Sequence, residues 1–586
     1  LYTKIQQQNI ENQRKSDALL DYYFRRIMLE ADSILLQQPI FYQLDGRGVL
    51  IETSRQLANR MVVLGMAWRH KGLPKYKEAM IRDLKLAAAF PDWNPKHFLD
   101  VGEMCSGFGI GLDWLGDEIK GEDRRQIVEG LLKNGIRPYL WAHDPANPAR
   151  PYWASVSHNW NIVCSTGPAL ASIACYEDFP KEAASTLEFL LHKLPRSIEQ
   201  YAPDGNWFEG PMYWEYATQN LVLALASLES AFGSDLGLGN PACLQKSGAT
   251  YVAMQSPSGR LYNYADARTQ KPTVQPMSLW FARRYQDTLS QNFYFSQLEK
   301  EKVRLEKGGK LTESQPYLPL LLAYYPEKRW PKTRIQQAKI QHIKGAVEII
   351  TLNGNPGSTD GIFLAAKGGD NNLTHQQLDL GSFIVEAGGL NWCVEMGPDY
   401  YGLPGYWSTG KGGGRWKYLR NRNHSQSTLV IDDSIQNPLA TASVGAIQPT
   451  GNQPFASINL SSAYENQLKL AKRTFRLLDE KTLEISDELE GLKPGAEVKW
   501  NWILPKEVEV LIKGKTVELK QAMQKMEITN LGDGMTWTLE SLDPKNTLEM
   551  KNEAFALLAA KGRTKETGKM SILVQVKWLG KSNEKP

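Results

Sequence analysis

The sequence predicts an α+β protein of more than one domain, all-helical in its first half and antiparallel β in its second. Two observations predict this. From the start to about residue 290 apolar residues recur at helical spacing, and after about residue 340 the period drops to two. The chain has 586 residues, ample for two large domains with buried cores. The expected division is 1–295, a connector at 296–340, and 341–586.

In the first half Leu57, Met61, Leu64 and Trp68 form one stripe, and Ala79, Leu84 and Ala87 a second. Ile127, Leu131 and Leu132 mark a third, and Ala184, Leu187, Leu190 and Leu191 a fourth. Breaker clusters such as Gly72–Pro74, Pro91–Pro95, Asp144–Pro151 and Pro203–Gly205 separate them, so ten or more helices are expected. The basic, polar stretch from Glu299 to Lys332 reads as the solvated connector. Beyond it, Val347-Glu348-Ile349, Leu483-Glu484-Ile485, Val498 to Trp502 and Val508-Glu509-Val510 alternate apolar and polar residues, as half-buried antiparallel strands do. Gly- and Asn-rich turns at short intervals suggest sheet-on-sheet packing.

Composition excludes several classes. Lys and Arg number 68 against 64 Asp and Glu, and the resulting +4 is too even for a nucleic-acid protein. An anionic polymer would have to be met by a local cluster. No apolar run approaches the ~18 residues that cross a bilayer. Five cysteines without CxxC spacing argue against a disulfide scaffold or a Cys-rich zinc site. The chain opens at Leu1 without a signal peptide and reads as a mature or trimmed form. The 17 Trp and 24 Tyr suit both large cores and sugar-ring stacking.

Only eight histidines are present. His158, His375 and His424 lie in polar segments (Ser157 to Asn161, Thr374 to Asp379, Asn423 to Ser425), whereas His192 falls on a helical stripe and reads as structural. A second unusual segment, Asp204 to Tyr216, sets Tyr, Trp and Glu densely at a helix start after Gly and Pro. Taken singly, each has a plain packing explanation.

In order, however, the motifs are similar to those of one family. Ser-His-Asn-Trp-Asn is followed by Glu-Gly-Pro-Met-Tyr-Trp, then, after the change to β, by His-Gln-Gln-Leu-Asp-Leu-Gly-Ser-Phe and Asn-His-Ser-Gln-Ser-Thr. This order resembles the heparinase II/III-like polysaccharide lyases, in the branch of exolytic oligoalginate lyases and exolytic heparin/heparan sulfate lyases. The resemblance implies an N-terminal incomplete (α/α) toroid followed by a C-terminal antiparallel β-sandwich domain, and β-elimination on an acidic polysaccharide or oligosaccharide, heparin or heparan sulfate being favoured. It implies a bacterial periplasmic or secreted enzyme. Nucleic acid is not an expected partner, and the oligomeric state is left open.

The chemistry asks for donors at the uronate carboxylate, a base for the C5 proton and an acid for the leaving O4. By type and motif, Asn159 and His158 suit the first task, His375 the second on the face opposite Tyr213, and Tyr213 the third or both steps on one uronate epimer, with Tyr216 as fallback. Glu209, Tyr401, Tyr406, Asp266 and Arg268 are candidates to bind or enclose sugar. Arg415 and Arg420, in the basic run that also holds Lys411, Lys417 and Arg422, are candidates to grip substrate anions, which tilts the choice toward a sulfated glycan. No cofactor is required by this chemistry. Relatives hold a structural zinc, and the matching positions are Gln377, Glu395 and His424, where Gln is a poor zinc ligand. Two rival readings are a glycoside hydrolase using Asp204 and Glu209 and a non-catalytic glycan-binding protein.

Overall fold

A computed structural model describes residues 1–309, 317–331, 338–449, 451, 453–532 and 534–581. The chain forms two compact units that interleave along the sequence. The helical unit takes Leu1–Tyr201, Glu215–Ala249 and Thr273–Thr333, and the strand-rich unit takes Ala202–Trp214, Thr250–Pro272 and Arg334–Pro586. Two short stretches of the first 295 residues thus belong with the strands. Both are irregular and broken by Pro and Gly, so they are free to lend side chains and backbone to the sheets. Asn206 Nδ2, for example, donates to the Val347 carbonyl at 2.8 Å. Of the expected connector, 310–316 and 332–337 lie outside the described residues, and helix Thr288–Glu306 runs into its first part.

Within the helical unit, helix Leu99–Leu115 is buried along almost its whole length. It is mostly apolar, as a central helix must be, and its buried acids Asp100 and Glu103 accept hydrogen bonds. Its neighbours come unusually close because glycines face each other: a Cβ on Gly167 would sit 1.9 Å from the Gly102 carbonyl oxygen. This contact fixes helix Asn159–Ala174, whose first turn carries the Ser-His-Asn motif. The first two stripes are buried as expected in Ile51–Lys71 and Pro74–Ala88, apart from half-buried Trp68. In Pro180–Ile198 the buried face is Ala183, Thr186, Leu190 and Leu194, with Ala184 exposed and Leu187 and Leu191 half-buried. The stripe is turned by one residue because Thr186 faces inward and satisfies its hydroxyl on the Glu182 carbonyl.

The strand-rich unit holds three main antiparallel sheets. One is a meander of Ile340–Ile343, Ile349–Asn353, Ile362–Lys367, Phe383–Ala387 and Leu390–Cys393. A second has eight strands in the order Glu509–Lys513, Thr516–Gln521, Gln524–Asn530, Lys569–Lys581, Thr482–Glu490, Leu470–Asp479, Phe455–Asn459 and Val444–Gln448. The third runs Met535–Glu540, Phe555–Arg563, Glu497–Pro505, Leu429–Ile431. They share one core, in which Phe383 of the meander lies 5.7 Å from Phe475 and 5.8 and 5.5 Å from Trp500 and Trp502. A buried bidentate pair crosses it, with Arg473 Nε and Nη2 donating to Asp487 at 2.8 and 2.9 Å. Such a pair is tolerated in a core only when its remaining donors are also satisfied. Here Arg473 Nη1 donates to the Gly381 and Ser427 carbonyls.

Candidate active site

The site in the strand-rich unit is built around His375. Its backbone has φ +66°, a left-handed conformation uncommon for any residue with a Cβ and enriched at functional positions. The turn is held by Arg415, whose Nε donates to the Gln376 carbonyl at 2.9 Å and whose Nη2 reaches the His375 carbonyl at 3.4 Å. Gln376 Nε2 donates to the Phe208 carbonyl at 2.6 Å and so ties the turn to the Asn206–Gly210 segment. That segment is fixed in turn by Tyr264, whose hydroxyl bonds to the Trp207 carbonyl and the Asn206 side chain.

The same segment launches helix Pro211–Phe232. Gly210 has φ +94°, and a Cβ there would lie 2.5 Å from the Tyr264 carbonyl oxygen, so only glycine fits. Pro211 then opens the helix with φ already suited to it. Two residues on, the Tyr213 ring lies over the His375 imidazole, centroids 4.0 Å apart and planes tilted by 31°. The Tyr213 hydroxyl shares a 3.1 Å hydrogen bond with the Tyr401 hydroxyl. Burial pushes the Tyr213 phenol well above its ordinary pKa, outweighing the Tyr401 hydrogen bond and the Arg268 charge. It is therefore a neutral proton donor at physiological pH.

His375 is 5% exposed. Its Nδ1 lies 2.9 Å from Asp266 Oδ2, and its Nε2 lies 3.6 Å from Glu209 Oε1, too long for a hydrogen bond. Glu209 is fully buried and accepts the Trp207 indole N–H at 3.0 Å. Trp407, which the sequence reading did not single out, meets His375 edge-on at 5.2 Å and Tyr401 at 4.9 Å while remaining 51% exposed. One aromatic in a Gly-rich loop carries no sequence signal of its own. Exposed Arg268 places its guanidinium 4.9 Å from the Tyr401 ring centroid.

Several expected roles change. Asp266 does not line a sugar subsite: it is fully buried and bonds to His375, to Arg415 Nη2 at 2.8 Å and to Gln377 Nε2 at 3.2 Å. Arg415 and Arg420 are not the exposed substrate grips expected: both are buried and bonded within the protein, Arg415 through Nε and Nη2. Arg420 donates to the Asn552 side chain and to the carbonyls of Pro398, Met396 and Lys551. Only Lys411 and Lys417 of that basic run are exposed. Tyr406 is 1% exposed, under the Tyr401 ring, with its hydroxyl on Asn421. Tyr216, the fallback, belongs to the helical unit, where its hydroxyl donates to Glu103, a carboxylate that also accepts from Tyr317 and Arg55. Asp204, the first of the two hydrolase carboxylates, accepts the Lys344 backbone N–H at 3.0 Å.

In the helical unit, His158 is the N-cap of helix Asn159–Ala174 and Asn159 its first residue. His158 Nδ1 accepts the Trp160 N–H at 3.4 Å, which leaves Nε2 to carry the ring hydrogen as a donor.

The zinc positions do not fit a metal. Gln377 donates through Nε2 to Asp266 and the Ala265 carbonyl and accepts through Oε1 from Gln426 Nε2 at 2.7 Å, so its amide is fully used. His424 Nε2 faces Asp433, and Glu395 accepts from the Ser382 hydroxyl. Burial and the nearby Asp379 raise the Glu395 pKa. Among the described residues no group of three or more His, Cys, Asp or Glu is arranged to hold a metal ion. Likewise, no helix among them is long and apolar enough to cross a membrane.

Residues 351–582 match the model of the heparinase II/III-like C-terminal domain. No curated protein matches the sequence. Among solved structures, a heparinase III superposes with a TM-score of 0.65 at 13% identity, covering 95% of this chain and 85% of that one. A mutant of the heparan sulfate lyase HepC from Pedobacter heparinus gives 0.61 at 13% identity, over 96% and 84% of the two chains. The chondroitin AC lyase of Streptomyces coelicolor A3, in complex with chondroitin sulphate, gives 0.51 at 10% identity, over 95% and 79%. Residues 351–582 thus form a heparinase II/III-like C-terminal domain, and the chain shares the fold of these solved polysaccharide lyases.

Proposed function

We propose that the protein cleaves uronic-acid-containing glycans by β-elimination, with Tyr213 as the acid and His375 as the base. The observation that carries this reading is the close approach, at 4.0 Å, of the neutral Tyr213 phenol to the His375 imidazole, the latter inside the matched domain. In the step, His375 Nε2 takes the C5 proton and the C–H electrons form the C4–C5 double bond. The C4–O4 bond breaks, and the Tyr213 hydroxyl protonates O4. No water is consumed. On His375, Asp266 lies at Nδ1 at 2.9 Å and Glu209 lies 3.6 Å from Nε2. The elimination runs on these protein groups without a metal.

The substrate is heparin or heparan sulfate, acted on from a chain end in the periplasm or outside the cell. The names of two similar structures, a heparinase III and a heparan sulfate lyase, support that choice. One observation favours oligoalginate as a second reading: burial of Arg415 and Arg420 removes the strongest sequence argument for sulfate recognition. We read the helical unit as the incomplete (α/α) toroid and the sheets as the β-sandwich of such enzymes.

The test is a panel of purified uronate polymers followed by ultraviolet absorbance, since the unsaturated uronate product absorbs and a hydrolysis product does not. Tyr213→Phe should lower turnover by about 1,000-fold or more, in the range of a lost general acid, with the thermal melt unchanged. Release of new ends without absorbance would replace the lyase reading by the hydrolase one.

A further inference from the structure

We propose that Asp266 is the positioning residue of His375, holding its imidazole as the Nδ1–H tautomer so that Nε2 faces the substrate with a bare lone pair, and that Arg415 fixes the carboxylate in this task. The proposal rests on the lyase reading above.

Asp266 is fully buried and out of reach of a sugar. Its two oxygens are divided between three donors: Oδ2 bonds to His375 Nδ1 at 2.9 Å, and Oδ1 accepts from Arg415 Nη2 at 2.8 Å and Gln377 Nε2 at 3.2 Å. Burial alone would raise the Asp266 pKa, but Arg415 and the bonds from His375 and Gln377 hold it below the usual carboxylate value. An ionised carboxylate only accepts, so the hydrogen between the two side chains belongs to His375 Nδ1, and Nε2 is left without one.

The neighbours are consistent with that assignment. Gln377 accepts from Gln426 through Oε1, so its Nε2 must point at Asp266 as a donor. Arg415 binds Asp266 and, in the same reach, the carbonyls of His375 and Gln376, coupling the carboxylate to the left-handed turn that aims the ring. The other titratable groups around the imidazole are Glu209 at Nε2, Tyr213 on the ring face and Tyr401 at 6.0 Å. None of them contacts Nδ1. A carboxylate that locks the tautomer and steadies a developing imidazolium affects the chemical step and leaves substrate binding largely alone.

The experiment compares wild type, Asp266→Asn, His375→Ala and the double variant on the uronate polymer that the wild type cleaves best, reading kcat and KM separately. Asp266→Asn is expected to lower kcat about 100-fold, with KM within about threefold. Added to His375→Ala, it is expected to cost less than about twofold more, because its effect passes through the imidazole that is already gone. Removing one charge of a buried pair risks unfolding. The exchange Asp266→Asn with Arg415→Gln removes both charges and, since Arg415 also holds the His375 turn, is expected to lower kcat at least as far, with folding checked by near-ultraviolet circular dichroism. A rise in KM at constant kcat would overturn the proposal, as would losses that multiply in the double variant. A wild type that forms no absorbing product from any uronate polymer overturns the lyase reading, and this assignment falls with it.

Discussion

Trp407 stands half in solvent against a histidine that is almost fully enclosed. An exposed indole next to a reacting centre has a use that a core tryptophan lacks: its face can take the C–H face of a sugar ring. If Trp407 serves that way, Trp407→Ala raises KM about tenfold, the ~1.4 kcal/mol of one good aromatic contact. kcat should stay within about twofold of wild type. Steady-state kinetics separate this from a packing role, in which loosened His375 would lower kcat at unchanged KM. Residue type singled out in the sequence a phenol and an imidazole that the fold brings to 4.0 Å, because few other side chains suit acid and base chemistry. It misassigned Asp266, Arg415 and Arg420 because charge says nothing about burial. Asp266 is 0% and Arg415 1% exposed, and each neutralises the other inside the protein. In the sequence they are separated by 149 positions, and no local pattern links them.

Among the elements, helix Pro211–Phe232 does most to define the site, since its start sets where the Tyr213 ring lies. That start depends on Gly210, whose positive φ and contact with the Tyr264 carbonyl leave no room for a methyl group. Gly210→Ala therefore costs about 1–3 kcal/mol of stability. Because the strain falls three residues before the phenol, kcat should drop more than the melting temperature alone explains. A thermal melt paired with kcat measured well below the transition checks this, and an unchanged kcat would mean the helix start is not what positions Tyr213. The Gly-Pro interruption made this helix start legible in the sequence. Strand Thr482–Glu490 was legible too, since its burial alternates along its length. Helix Pro180–Ile198 was found but turned by one residue, because a threonine on the inner face breaks an apolar count. Strand Glu509–Lys513 is an edge strand and largely exposed, so its alternating pattern marks a strand without marking a core.

For the molecule as a whole, the change of period from 3.6 to two separates helices from strands, yet it does not divide the chain where the compact units divide. Ala202–Trp214 and Thr250–Pro272 lie inside the helical stretch of sequence and belong to the strand-rich unit. They carry Glu209, Tyr213 and Asp266, three of the groups around His375. A periodicity argument misses them because they are short and have no period. The physical consequence is a fragment that resembles a domain without being one. Expressed alone, residues 334–586 would keep Arg415 and His375 but lose Asp266, leaving a guanidinium that is 1% exposed in the whole chain without its carboxylate. An unpaired buried charge costs about 3–5 kcal/mol, a large part of the stability of a domain of this size. The fragment also loses Asn206 and Phe208, which anchor the bend at Val347 and the turn at Gln376. It is expected to aggregate, or to melt at least about 10 °C below the full chain. Circular dichroism melts of the two proteins test this, and a fragment as stable as the full chain would mean that the inserted stretches lie on the strand-rich unit without supporting it.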